Sequence, residues 1–216
     1  MKSKVLRYSG EKVSVNYDLP RCIHAAECVH GLPRVFDPNR KPWIEPDTAD
    51  PDELLRVVIE CPTGALHLER KDGGPDEPMP KLNKASMEAD GPVYVHGRIE
   101  IVTAQGQLLL EDTRVALCRC GASENKPLCD GGHVKAEFRG SGTLQPGDEA
   151  PATGHTGKLK LTPLPNGPLL FEGPLQLASA TGESVPLTKG ALCRCGVSEN
   201  KPYCDGSHGK AGFLAE

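Results

Sequence analysis

The 216-residue chain has few aromatic residues, no long apolar run and no excess of positive charge. Aromatic residues make up only 4% of it, with a single Trp, so a large aromatic core is excluded. No run of about 18 apolar residues exists, which excludes a membrane-spanning helix of ordinary composition. A net charge of -4 argues against a general nucleic-acid role. These deficits predict a soluble protein of one to three small domains.

The sequence predicts neither a secretory signal nor a complete set of disulfides. Residues 1–18 have no apolar segment and no cleavage-site pattern. The nine cysteines are an odd number and fall into three groups of three, which argues against a full disulfide framework. Thiols grouped in this way remain free to bind metal in a reducing compartment, so we expect a cytoplasmic location. The 24 Gly and 20 Pro indicate a loop-rich chain in which metal sites supply stability that the core does not.

The most informative feature present is a Cys/His motif that occurs twice. Residues 118–133 read CRCGASENKPLCDGGH and residues 193–208 read CRCGVSENKPYCDGSH, so both have the form C-x-C-x8-C-x3-H. The residues between the donors are mostly polar, Gly or Pro and cannot form a core, so a metal centre must hold the loop. Cysteine combined with histidine selects zinc or an iron–sulfur cluster. The donors are Cys118, Cys120, Cys129 and His133 in the first motif, and Cys193, Cys195, Cys204 and His208 in the second.

The duplication extends beyond the motifs. Residues 91–102 match residues 167–178, and apolar residues alternate in the same register in both, which predicts a strand in each copy. Gly97 and Gly173 take equivalent places and indicate a bulge or a close backbone approach. A turn signal at residues 165–167 predicts a hairpin before the second copy. The expected division is a linker at 71–90, a first repeat at 91–138, a flexible bridge at 139–157 and a second repeat at 158–216.

Residues 1–70 are expected to form a separate small domain. Alternating apolar residues at 13–17 predict a strand, and residues 65–69 predict a closing strand. Between them, Asp50 and Pro51 are typical of a helix start, with Glu53 completing a capping box, and Pro62 ends the helix. The three cysteines of this domain are Cys22, Cys28 and Cys61.

Both repeated motifs resemble the CDGSH (mitoNEET-like) iron–sulfur family, whose pattern is C-x-C-x2-[ST]-x3-P-x-C-D-G-[STA]-H. Only Gly132 departs from it, where Ser is usual, and no ligand is lost. The resemblance implies one [2Fe–2S] cluster per motif, in which the C-x-C pair holds one iron and the last Cys with the His holds the other. A neutral His ligand raises the potential of a cluster, and protonation of that His in acid loosens it. The alternative is structural zinc, for which the C-x-C opening is tighter than the usual spacing.

The N-terminal domain resembles a divergent bacterial-type ferredoxin that carries a single cluster. Cys22-x5-Cys28 is followed by a remote Cys61-Pro62, but Ala25 stands where the usual run has its middle Cys. Three thiolates suit a [3Fe–4S] cluster, and a [4Fe–4S] cluster would need a non-Cys ligand, for which His24 is the nearest candidate and His30 a weaker one. The alternatives are an uninvolved His24 in a polar loop, a zinc site, or three ordinary cysteines.

The sequence therefore predicts an α+β protein with a small ferredoxin-like domain and a mostly β tandem CDGSH region that forms an intramolecular pseudo-dimer. The predicted function is soluble electron transfer rather than enzymatic catalysis, since no nucleotide-binding glycine motif or catalytic constellation is recognisable. The alternatives are cluster storage or transfer, redox or pH sensing, and, last, a structural zinc protein. We expect a monomer, a redox partner of unknown identity, and no binding to membrane or nucleic acid.

Overall fold

A computed structural model describes residues 1–144 and 157–215 of the chain. It divides into two compact units, Lys2–Pro78 and Met79–Glu216, which are considered separately. Residues 145–156, the larger part of the predicted bridge, lie outside the described residues.

The first unit is a three-stranded antiparallel sheet packed against short helices. Its strands are β1 (Val5–Ser9), β2 (Val13–Asp18) and β3 (Leu66–Arg70), in the order β1-β2-β3. Its helices are α1 (Glu27–Gly31) and α2 (Pro51–Val58), with 3-10 turns at Leu19–Arg21 and Pro46–Thr48. Both predicted strands and the predicted helix are present in this unit.

The core of this unit lies between β2 and α2. The side chains of Val13 and Val15 are buried on one face of the sheet, and Leu54 and Val58 are buried one helical turn apart. Complete burial of such a side chain contributes about 1.5–3 kcal/mol. The N-cap prediction is confirmed, because the Asp50 carboxylate accepts a hydrogen bond from the Asp52 N–H at 2.9 Å.

The capping-box prediction is wrong. The Glu53 carboxylate pairs with Arg34 instead of turning back to the start of the helix. A long-range guanidinium partner has replaced the local backbone donor, which a sequence pattern cannot anticipate.

The second unit is built on a six-stranded sheet. The strands are β4 (Lys84–Met87), β5 (Val93–Val102), β6 (Leu108–Leu117), β7 (Leu159–Pro163), β8 (Leu169–Ala178) and β9 (Ser184–Leu192). The predicted repeat strands are β5 and β8, and the predicted hairpin joins β7 to β8. Strand β4 corrects the prediction of a linker through residue 90. It is too short and polar to stand out, but it buries Ala85 and Met87.

The two copies are interleaved within this sheet. Strand β4 pairs antiparallel with β5 of its own copy and parallel with β8 of the other, while β7 pairs antiparallel with β8 and parallel with β5. The change of partner along β5 and β8 occurs at register shifts that contain Gly97 and Gly173. The predicted bulges are therefore the points at which each long strand passes from one neighbour to the other.

Four-residue helices follow the last cysteine of each motif, α3 (Gly132–Lys135) and α4 (Ser207–Lys210). Among the described residues, no helix combines the length and the apolar character that crossing a bilayer requires.

Candidate metal centres

The first two donors of motif one leave the end of strand β6. Cys118 directly follows Leu117, and its N–H donates to the Pro127 carbonyl at 2.9 Å. Cys120 lies two residues further on, with its sulfur 3.7 Å from that of Cys118. The Ala122 N–H donates to the Cys120 sulfur at 3.4 Å, so a backbone dipole already favours a thiolate there.

The other two donors come from the returning arm of the loop. The Cys129 N–H donates to the Ala116 carbonyl at 2.8 Å, which fixes Cys129 beside the strand that delivers Cys118. His133 lies in α3, and its Nδ1 atom is 3.4 Å from the Cys129 sulfur. The Gly131 N–H also donates to that sulfur, at 3.4 Å.

An aspartate and a serine fix the shape of the loop between the donors. The Asp130 carboxylate accepts from the Gly132 N–H at 2.9 Å and from the Glu124 N–H at 2.8 Å. The N-cap residue of α3 is Gly131, so Asp130 stabilises the start of this helix from the position just before the N-cap. The buried Ser123 hydroxyl donates to the Leu128 carbonyl at 2.7 Å. These contacts explain why the motif needs Asp and Ser at these places.

The second motif repeats this arrangement. The Cys193 and Cys195 sulfurs are 3.6 Å apart, and Cys204 lies 3.3 Å from Nδ1 of His208. The equivalent aspartate, Asp205, has a lowered pKa, because the N–H groups of Ser207 and Glu199 and the Ser207 hydroxyl donate to it. Gly132 lacks that hydroxyl, so the first motif has one hydrogen bond fewer.

The donors within each motif are grouped in pairs. Among residues 1–144 and 157–215, no three Cys, His, Asp or Glu side chains gather closely enough to surround one metal ion. The hydrogen bond from the Cys118 thiol lowers the pKa of Cys120 to about 6 and raises that of Cys118. Burial raises the pKa of Cys129 to about 11. Metal binding must displace the protons that these thiols hold.

The two metal loops lie back to back. A Cβ atom added to Gly121 would lie 2.7 Å from the Cys195 carbonyl oxygen, and one added to Gly196 would lie 2.7 Å from the Cys120 carbonyl oxygen. Both glycines have positive φ, 78° and 83°. The turn after each C-x-C pair is thus in direct contact with the C-x-C pair of the other motif.

Sequence reasoning missed the arginine that separates the paired cysteines. Arg119 and Arg194 are 5% and 2% exposed, and their guanidinium groups lie 5.4 Å and 5.5 Å from the ring centres of Phe138 and Phe213. The available signal was a charged residue held at the same place in both copies. The basic residues four positions before each first cysteine, Arg114 and Lys189, are not equivalent, since Arg114 is buried and Lys189 is exposed.

The three cysteines of the first unit line one cavity of about 570 Å³. Cys22 follows the 3-10 turn, Cys28 lies in α1, and Cys61 lies just beyond α2. Burial raises the pKa of the Cys28 thiol to about 11, and the nearby sulfurs of Cys61 and Cys22 add to this effect. Burial and a hydrogen bond with Cys22 raise the pKa of Tyr17, whose ring also lines the cavity.

The loop between Cys22 and Cys28 also faces this cavity. His24 and Ala25 both line it, and His24 is exposed to solvent. His24 and Ala26 have positive φ, 59° and 68°, so the loop turns sharply around the position that Ala25 occupies. His30 is not among the lining residues.

Comparison with known proteins finds a different family model for each of the two units. Residues 8–71 match the family model described as "Divergent 4Fe-4S mono-cluster". Residues 90–134 and 166–209 match the model described as "Iron-binding zinc finger CDGSH type". The Escherichia coli K12 "Uncharacterized protein YjdI" is 41% identical over 64 residues, which are 30% of this chain and 84% of that protein. The chain belongs to the divergent 4Fe-4S mono-cluster family and carries a CDGSH tandem.

The YjdI protein of Escherichia coli O157:H7 matches with the same identity and coverage. No solved structure matches the chain. This divergent mono-cluster protein with a CDGSH tandem is an iron–sulfur protein, with a 4Fe-4S-like site and two CDGSH iron-binding sites. The donors fit that chemistry, since soft sulfurs pair with each other or with a histidine nitrogen and backbone N–H groups point at the sulfurs.

Proposed function

We propose that this protein is a multi-cluster electron carrier, with one Cys3His [2Fe–2S] cluster in each CDGSH motif and one cluster in the N-terminal domain. The observation that carries the proposal is the pairing of donors in two loops that lie back to back. Bound clusters would supply one-electron uptake and release. The chain would hold them, set their charge environment and place two of them close together.

The paired donors support a specific set of ligands. Cys118 with Cys120, and Cys193 with Cys195, would each hold one iron through the C-x-C pair. The second iron would be held by Cys129 with His133, or by Cys204 with His208. The sulfur–sulfur distances of 3.7 Å and 3.6 Å are close to the separation of two thiolates that share one tetrahedral metal, for which Fe–S and Zn–S bonds are about 2.3 Å.

The N-terminal cavity would hold a cluster on Cys22, Cys28 and Cys61. Three thiolates favour a [3Fe–4S] cluster in this chain, although the family is described by a 4Fe-4S cluster. A [4Fe–4S] cluster would use His24 as the fourth ligand, and the position of His24 on the cavity lining supports that alternative.

We further propose a non-enzymatic, monomeric carrier in a reducing compartment such as the cytoplasm. The reciprocal pairing of β4 with β8 and of β7 with β5 supports an intramolecular pseudo-dimer of the two CDGSH repeats. A separate redox protein would exchange electrons with it.

An anaerobic redox titration monitored by EPR tests the proposal. We expect stepwise reduction of two kinds of cluster, with an N-terminal signal that differs from the Cys3His signal. Rapid freezing after a substoichiometric reductant pulse should show electrons redistributing between centres. Three centres that never exchange electrons would exclude the carrier function. Folded protein that is colourless and contains no iron would instead favour the alternative of a structural zinc protein.

Cluster transfer or pH sensing is the second candidate. His133 and His208 are both partly exposed, so protons can reach the ligating rings from solvent. The test is cluster transfer to an apo-acceptor by the parent and by a variant with His133→Cys and His208→Cys. Slower donation by the variant is expected of a transfer protein, and equal rates would count against it.

A further inference from the structure

Thr63 lies against one of the three cysteines that line the N-terminal cavity. It follows Cys61 by two residues, and its hydroxyl oxygen is 3.6 Å from the Cys61 sulfur. Because sulfur is a large atom, this separation is an ordinary length for a hydrogen bond between a hydroxyl group and a thiolate. Thr63 lines the cavity and is only 3% exposed, so little water competes for this contact.

The surroundings of the hydroxyl decide the direction of this hydrogen bond. The Ala65 N–H donates to the Thr63 hydroxyl oxygen at 3.2 Å, which leaves the hydroxyl hydrogen for another partner. A cysteine that binds iron is a thiolate without a proton, so its sulfur can only accept. Once Cys61 is a ligand, Thr63 is therefore the donor, and the hydrogen bond is of the stronger, charge-assisted kind.

Two long-range contacts hold this segment in place. The buried Arg21 donates from Nη2 to the Thr63 carbonyl at 2.7 Å, and the Asp18 N–H donates to the Ala65 carbonyl at 2.8 Å. Arg21 directly precedes Cys22, so its guanidinium also ties the segment that carries one cysteine to the loop that follows another. Neither contact uses the side chain of Thr63, so a substitution of that side chain leaves both in place.

The serine hydroxyls of the CDGSH motifs are used differently. Ser123 donates to the Leu128 carbonyl and Ser198 donates to the Tyr203 carbonyl, both at 2.7 Å. The hydrogen bonds described above for the sulfurs of these motifs come from backbone N–H groups. The two CDGSH sites therefore provide an internal reference for any change made at Thr63.

We infer that Thr63 is a positioning residue of the N-terminal metal centre, and that its hydroxyl raises the reduction potential of the cluster by donating to the Cys61 thiolate. This inference rests on the proposed assignment of Cys61 as a ligand. Uptake of one electron makes the ligand sulfurs more negative, so a hydrogen bond to one of them stabilises the reduced state more than the oxidised state. The same effect is expected for a [3Fe–4S] and for a [4Fe–4S] cluster.

The test compares Thr63→Val with Thr63→Ser in the full chain. Val has the shape of Thr without the hydroxyl group, and Ser keeps the hydroxyl group without the methyl group. Each protein is titrated anaerobically with dithionite through mediators, and EPR follows the N-terminal and CDGSH signals in the same samples. Thr48→Val is the matched control, because Thr48 lies in the same unit and its exposed hydroxyl donates to backbone carbonyls instead of a sulfur.

Thr63→Val should lower the equilibrium constant for one-electron reduction of the N-terminal cluster about tenfold, which is a shift of about 59 mV. Thr63→Ser and Thr48→Val should stay within about threefold of the parent, and the CDGSH signals should titrate as in the parent. An unchanged or raised potential in Thr63→Val would overturn the inference. An equal shift in Thr63→Ser would also overturn it, because the hydroxyl group would then not be the cause.

Thr63→Val also removes the acceptor of the Ala65 N–H, so a second variant covers the case in which it does not assemble the cluster. Thr63→Ala removes the same hydroxyl with less bulk beside the sulfur, and the same tenfold change is expected. If neither variant assembles an N-terminal cluster while Thr63→Ser does, the hydroxyl is required by the loop rather than by the potential, and the inference fails. Absence of an N-terminal cluster signal from the parent would instead refute the proposed cluster assignment.

Discussion

Glycine at residues 121 and 196 is required by contact as well as by backbone conformation. Each has a positive φ, and each would bring a Cβ against a carbonyl of the other metal loop. The contact is rigid, since it is made with backbone, so an added methyl group must push the loops apart. These two residues therefore set the spacing of the CDGSH sites.

Replacement of Gly121 by Ala, compared with a control, should distinguish the stability cost of backbone strain from the cost of contact with the other metal loop. Gly106 also has a positive φ, 84°, but nothing lies within 4 Å of its Cβ position, so Gly106→Ala is the matched control. An L-residue in the left-handed region costs about 1–2 kcal/mol, and we expect roughly that loss from the control. Gly121→Ala should lose more, about 2–5 kcal/mol in total, because overpacking adds about 1–3 kcal/mol. Thermal unfolding of the loaded protein measures both, and equal losses would show that the loops do not depend on this contact.

The CDGSH motifs show which features of the site can be predicted from the sequence and which cannot. The positions of the donors can be predicted from the pattern C-x-C-x8-C-x3-H, because the four residues of each motif lie close together in the sequence. The surroundings of Arg119 cannot be predicted in this way, because its carbonyl partners, Glu88, Gly91 and Gly140, lie 21 to 31 residues away in the sequence. Long-range contacts of this kind follow only from the folded sheet.

At the scale of elements, strands β5 and β8 could be predicted because their apolar residues alternate over ten residues each. Strand β4 could not, because it has four residues and only two of them are buried. Its existence depends on pairing with β5 and β8, which lie on either side of it. Short strands that complete a sheet are specified by their neighbours rather than by their own composition.

The turn between β4 and β5 is fixed by a single carboxylate. Asp90 has a φ of 55° and accepts from the Gly140 N–H at 2.8 Å and from Arg139 at 3.0 Å. These contacts lower the pKa of Asp90 below its ordinary value of 3.8. Gly140 in turn presents its carbonyl to Arg119, so the turn supports one of the buried guanidinium groups.

Asp90→Asn should lower the melting temperature slightly at neutral pH, because Asn tolerates the backbone conformation but loses the charge. A lowered folded-state pKa means that the stabilisation is fully present above the ordinary pKa and is lost as the pH falls through the folded pKa. The difference from the parent should therefore stay constant between about pH 7 and pH 5. Asp76→Asn, at an exposed residue, is the control. A difference that shrinks within this range would assign the effect to another group.

At the scale of the whole molecule, the three donor sets lie on separate segments of the chain. We therefore expect each set to bind its iron independently of the other two. With two [2Fe–2S] clusters and one [3Fe–4S] cluster, the parent should contain about seven iron ions per chain, and with a [4Fe–4S] cluster about eight. Cys129→Ala should remove about two of them, and Cys61→Ala should remove about three or four, since each change affects one donor set. Iron and acid-labile sulfide assays on anaerobic protein measure these numbers. His24→Ala decides the nuclearity, because it should remove about one iron ion if His24 is the fourth ligand and none if the cluster is [3Fe–4S]. Loss of all iron from any single substitution would mean that the three sites do not load separately, and the division of the chain into three centres would fail.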